Sequence, residues 1–347
     1  MSTALSPLAP HAALTTLDTV RLWCFKRLGP TVVPLLRDRD LRACAFGASA
    51  ILVAFALTLL APLWLLALGP IVWGVPHLLA DARYLVARPG LHRRRPLVWL
   101  AALPVLAAGL GAGAGVGLLA GVLAALLARA SRLRRGVTAA LLLAAAGALG
   151  ALGGLGDVIF AHAHNALAVL CWLAWRPRVS RKHWGVLALY LVATLALLSG
   201  ATDALVLAWR GLDWSPAGLE LGHRVGELAL GAAPPMTARL VLAFAFAQAV
   251  HYAVWLRLIP EEDRPRATPR GYRASYAALE ADFGRWPLVL CAAACVALAA
   301  WALIDLAAAH GGYLRFALFH GHLELAALTI LGLEGRLSWS RGPSPSR

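Results

Sequence analysis

"FGASAILVAFALTLLAPLWLLALG", Phe46 to Gly69, contains no charged residue, and its length exceeds the roughly 20 residues that a membrane-spanning helix needs. A helix at the surface of a soluble core is apolar along one stripe only; this run is apolar all round, which suits lipid. "VTAALLLAAAGALGALG" (Val137–Gly153) and "WGVLALYLVATLALL" (Trp184–Leu198) read the same way. The whole chain agrees with them. Its 347 residues are 60% hydrophobic and 14% charged, with a mean hydropathy of +0.71, too apolar and too sparsely charged for a soluble domain. Short alternating strands are absent, which argues against a β-barrel.

Working outward, apolar runs separated by turn and charge signals predict an all-α polytopic membrane bundle of about ten spans. They lie near 44–65, 66–86, 97–110, 116–127, 137–152, 158–175, 184–198, 239–259, 286–306 and 316–333. Residues 1–43 form a basic lead-in, with "TVRLWCFKRLGPTVVPLLRDRDLR" read as amphipathic and lying on the inner membrane surface; 334–347 form a disordered tail. No signal-peptide pattern opens the chain, so no processing is expected. The basic loops "RPGLHRRRP", "ARASRLRRG", "RPRVSRKH" and "RLIPEEDRPR" follow the second, fourth, sixth and eighth spans, while "GAGAG", "GGLGD" and "AAAHGGY" carry no Lys or Arg. That alternation is the positive-inside pattern, and it predicts both termini in the cytoplasm of a bacterial inner membrane. It also explains the net charge of +15 without nucleic acid, because the arginines gather in loops and not along one helix face. The five cysteines show no CxxC spacing and read as packing residues.

Against this background the polar residues inside spans stand out, since each costs a few kcal/mol in lipid without a partner. Of eleven histidines, His11, His92 and His183 fall in basic segments, and His223 and His310 on the outer side. Six lie within spans: His77, His162, His164, His251, His320 and His322, joined by Asp81, Glu324, Asn165 and Gln248. All sit on the second, sixth, eighth and tenth spans, which run in one direction. His77 with Asp81, and His320 with Glu324, are four apart and share a helix face. Imidazoles beside carboxylates suit a metal, either as joint ligands or with the acid orienting the ring. Non-haem iron is favoured where oxygen must bind, with copper, zinc or haem as alternatives. His162 and His164 point about 200° apart, so one of them faces inward; His320 is preferred over His322 because it shares a face with Glu324. His251 reads as about 10 Å nearer the cytoplasmic end than His162. Tyr252, Trp255 and the charged stretch after them read as an interfacial anchor.

"GVPHLLAD", Gly74 to Asp81, resembles the Gly-x-Pro-His-Gly-x-x-Asp motif of the Brp/Blh family, bacterial membrane proteins that cleave β-carotene to retinal with oxygen and a histidine-bound non-haem iron. Gly74, Pro76, His77 and Asp81 match, and Leu78 stands where the family has its second glycine. The resemblance implies a metal ligand at His77, a supporting acid at Asp81, and a lipophilic substrate taken from the bilayer together with O2. Two further readings accompany it: a haem-binding electron-transfer protein, and a transporter whose acid and histidine pairs relay protons.

Overall fold

A computed structural model describes residues 9–175, 180–264 and 266–337. Among them there is no strand. The lead-in holds α1 (Ala9–Leu28) and α2 (Val33–Arg37); the remainder is α3 (Arg39–Leu60), α4 (Pro62–Asp81), α5 (Arg95–Gly109), α6 (Ala114–Leu127), α7 (Arg132–Leu152), α8 (Gly154–Ala174), α9 (Arg181–Ser199), α10 (Asp203–Ala208), α11 (Leu221–Leu228), α12 (Met236–Ala253), α13 (Ile259–Glu262), α14 (Tyr272–Phe283), α15 (Arg285–Ile304) and α16 (Leu306–Leu333). Eight helices among the described residues are long and apolar enough to cross a membrane: α3, α4 with its extension to Ala87, α7, α8, α9, the continuous Met236–Glu262 helix, α15 and α16. The expected third and fourth spans, α5 and α6, are shorter than that. The expected tail falls mostly on 338–347, outside the described residues.

Several boundaries differ from expectation for identifiable reasons. The first break comes at Ala61, not near Leu65, because Pro62 occupies the first turn of α4, where its missing N–H costs nothing. The eighth span does not end at Ile259. Its α-helix passes through a π-helical turn at Val254–Leu258 into α13, so the charged "IPEE" is helical and His251 lies near the middle of a 27-residue helix. The three added residues move that end by about 4.5 Å and close part of the apparent depth mismatch with α8. A second π turn, Ala82–Ala87, extends α4 directly after Asp81. Such turns gather at functional sites. The last span begins at Leu306, ten residues before the expected Phe316, which places His310 inside a helix and buries it.

The stretch after His251 is also more than an anchor. Glu261, Glu262, Asp263 and Arg264 are buried. Glu261 accepts from Arg42 Nε at 3.1 Å, lies 3.2 Å from Arg257 Nη1, and pairs with Arg264; Asp263 pairs with Arg88. Mutual neutralisation lets these charges leave solvent. At the same end, Asp18 of α1 accepts the backbone N–H groups of Tyr272 (2.7 Å) and Arg273 (3.1 Å), capping α14. The Tyr272 hydrogen bond holds the Asp18 carboxyl below its usual range, with help from the Arg273 N–H and the Arg21 and Arg273 charges. Lead-in helix α1 therefore docks on α14, while Leu17, Val20, Leu22, Trp23 and Leu28 remain exposed.

Small residues set how closely the central helices approach. On α6, Gly117, Ala120, Gly121 and Ala124 are buried on one face, the spacing that lets helices pack tightly in lipid. A Cβ at Gly117 would overlap the His322 ring, and one at Gly74 would overlap the ring of buried Tyr313. Gly74→Ala is expected to force α4 from α16 and to cost about 1–3 kcal/mol, read as a lower unfolding midpoint in detergent. An unchanged midpoint would mean that the Tyr313 ring is free to yield.

Candidate metal centre

Four helices bring their polar residues to one place. His77 of α4, His251 of α12, and His320 and Glu324 of α16 present ligand atoms that all lie within 4.8 Å of one another. His77 Nε2 is 2.9 Å from His251 Nε2. His164 of α8 joins from the side: its Nε2 is 3.0 Å from His320 Nε2, and its Nδ1 is 3.4 Å from Glu324 Oε2. Glu324 Oε1 lies 3.7 Å from His77 Nε2 and 3.6 Å from His251 Nε2. Asp81 Oδ2 stands 3.2 Å from His77 Nε2. Both acids thus approach the ring nitrogen that faces the centre. In that position they could serve an ion as counter-charges or ligands, and neither orients His77 from its far side.

The donor set of the cluster could hold a cation. The His320 Nδ1–H donates to the Ala317 carbonyl, so a neutral His320 turns an unprotonated Nε2 inward. His164 Nε2–H can then donate to it, which leaves His164 Nδ1 bare against a Glu324 oxygen. Both Asp81 oxygens and Glu324 Oε1 are buried away from any well-directed N–H donor, and the two carboxyl groups lie in hydrogen-bond contact with each other, where a shared proton or an ion can bridge them. Buried carboxylate oxygens without a donor are rare and call for an ion or a proton. Two nitrogens each about 2.1 Å from one ion stand about 3.0 Å apart at a right angle, close to the spacing of His77 Nε2 and His251 Nε2.

The structure separates the paired histidines. His164 faces the centre; His162 turns away, its Nε2 2.9 Å from the Leu228 carbonyl and its ring against Phe244. His320 faces the centre; His322 stacks on Phe160 with ring centroids 4.3 Å apart and planes 2° from parallel. His162 and His322, both candidate ligands by sequence, therefore lie outside the cluster, as the two-residue spacing on a helix requires.

A cavity of about 410 Å³ opens beside the centre, within the range of small-molecule sites. His164, His251 and His320 form one end, Leu66, Phe160, Phe244 and Leu318 line its apolar walls, and Arg224 with His310 lines it farther along. Asn165 and Gln248 also face it. Tyr252 is no interfacial anchor: it is buried, packs against His77 with ring centroids 5.1 Å apart, and lines the cavity with Tyr313. Arg224 and Tyr313, which the sequence places in outer connections, line this cavity. His183, expected in solvent, is buried with Nδ1 2.6 Å from the Ser180 hydroxyl. No disulfide joins the described cysteines; Cys44 and Cys171 are buried in the core, whereas Cys24 is exposed. Compared with protein-family models, curated proteins and solved structures, the chain matches none.

Proposed function

We propose that this chain is a multi-pass membrane oxygenase in which His77, His251, His320 and Glu324, flanked by His164 and Asp81, hold a non-haem metal, iron in the leading assignment. One observation carries the reading: three imidazoles and a carboxylate from three helices have ligand atoms within 4.8 Å of one another deep in an apolar bundle. A bare ion is favoured over haem. A macrocycle must pass between its two axial ligands, and nitrogens 2.9 Å apart leave no room for one. When bound, iron supplies the redox chemistry that lets oxygen react with an apolar substrate.

The chain's own residues do the rest. Asp81 and Glu324 balance the ion's charge, and the Ala317 carbonyl fixes the ring of His320. Leu66, Phe160, Phe244 and Leu318 hold a hydrocarbon chain and exclude water from it. The resemblance of "GVPHLLAD" to the Brp/Blh motif makes carotenoid cleavage the nearest named reaction, with substrate arriving from the bilayer. The basic loops support a bacterial inner-membrane topology with both termini cytoplasmic, α5 and α6 serving as two short spans and α1 lying on the inner leaflet.

Purified protein loaded with ferrous iron is expected to consume oxygen when given β-carotene and to release an aldehyde, with His320→Ala inactive. Iron-loaded protein that consumes no oxygen with carotenoids or other polyenes would refute the oxygenase while leaving the metal centre standing.

A further inference from the structure

The cavity has a second chemical end. His310 lies ten residues before His320 on the same helix, about 15 Å away at 1.5 Å per residue. Against His310 sits Arg224 of α11, only 3% exposed, and both line the cavity that reaches the histidine centre. A guanidinium removed from water needs its five N–H donors met. Here Nη1 donates to Glu227 Oε2 at 2.7 Å, Nη2 lies 3.4 and 3.5 Å from the two ring nitrogens of His310, and Nε has no partner. A simple clamp between helices would not leave a buried guanidinium so poorly satisfied. Nε is enclosed, so a ligand's acceptor would meet the Nη2 end, whose contacts with His310 are long.

The charges around Arg224 define that acceptor. Glu227 already pairs with Arg224 and also lies 3.2 Å from His223. Asp157, accepting the Ala114 N–H at 2.6 Å, lines the same cavity. The Glu227 carboxylate already neutralises this guanidinium, which disfavours a further anion and leaves its N–H groups to donate to an uncharged oxygen. We infer that Arg224 is a specificity-determining residue, and that the substrate is a long apolar molecule bearing an uncharged oxygen, a hydroxyl or carbonyl, at the end remote from the histidines. This rests on the reading that the cavity holds the substrate of the histidine centre.

The test measures quenching of tryptophan fluorescence in the purified full chain by all-trans-retinol, by retinoic acid, and by deoxyretinol, the same skeleton ending in methyl. Metal content and unfolding midpoint are recorded on the same samples. Retinol is expected to bind about tenfold more tightly than deoxyretinol. Arg224→Leu is expected to erase that ratio while leaving deoxyretinol affinity and metal content unchanged, and Arg224→Lys to keep part of it. Equal affinity of the wild type for retinol and deoxyretinol overturns the inference even if the leucine variant fails to fold, as does a preference that survives in Arg224→Leu. Tightest binding of retinoic acid overturns the uncharged-oxygen assignment. Metal content reads the histidine centre and the alcohol-to-hydrocarbon ratio reads Arg224, so either can fail alone.

Discussion

His77→Ala is expected to lower bound metal from about one ion per chain to a tenth of that or less, the scale on which loss of one ligand acts. His77 is the hinge of the cluster. Its Nε2 lies 2.9 Å from His251, 3.2 Å from Asp81 and 3.7 Å from Glu324, so removing the ring deletes a donor and parts the remaining ones. His251→Ala and His320→Ala are expected to behave alike. His162→Ala and His322→Ala delete the same number of atoms from the neighbouring helical turns yet are expected to retain metal, since those rings contact the Leu228 carbonyl and Phe160 instead. Elemental analysis of monodisperse protein reads the difference. Full metal in His77→Ala would remove the central ligand, and equal loss in His322→Ala would mean that the effect is merely structural.

Glu261→Gln is expected to destabilise the fold by about 3–5 kcal/mol, the cost of leaving buried charges without their partner. The side chain keeps its shape and loses only its charge. Arg42 and Arg264, both buried, and Arg257 beside them then face one another with no carboxylate between them. The network ties α3 to the end of the helix that carries His251, so the same substitution is expected to weaken metal retention at a distance. Denaturant unfolding in detergent measures the first effect. A loss below about 1 kcal/mol would show that water reaches these arginines and that the cluster is a surface feature.

The eight long apolar helices, among them those that carry the candidate site, were legible because apolar runs stand out in composition and their few polar residues stand out within them. His77 with Asp81, and His320 with Glu324, announce themselves by standing four apart in apolar runs. What lay beyond sequence reading depends on contacts between distant segments. Nothing local says that the charges of "IPEED" neutralise Arg42 on α3 and Arg88 just beyond the α4 extension, so the run looked like a loop and His251 looked misplaced in depth. Helical geometry required one inward histidine in each pair; only the packing of α8 against α12 selected His164 over His162. Tyr313, Arg224 and His310 sit in segments whose glycines and charges resemble an outer loop. They join the site because α16 continues through "HGGY" and because Gly74 leaves space for the Tyr313 ring.

The most direct test is X-ray absorption at the metal edge of the purified wild-type protein. The histidine centre predicts about one metal per chain, with imidazole scattering in the first coordination shells, no sulfur ligand and no Soret band in the visible spectrum. Metal-free protein, a thiolate shell, or a Soret band would each contradict it.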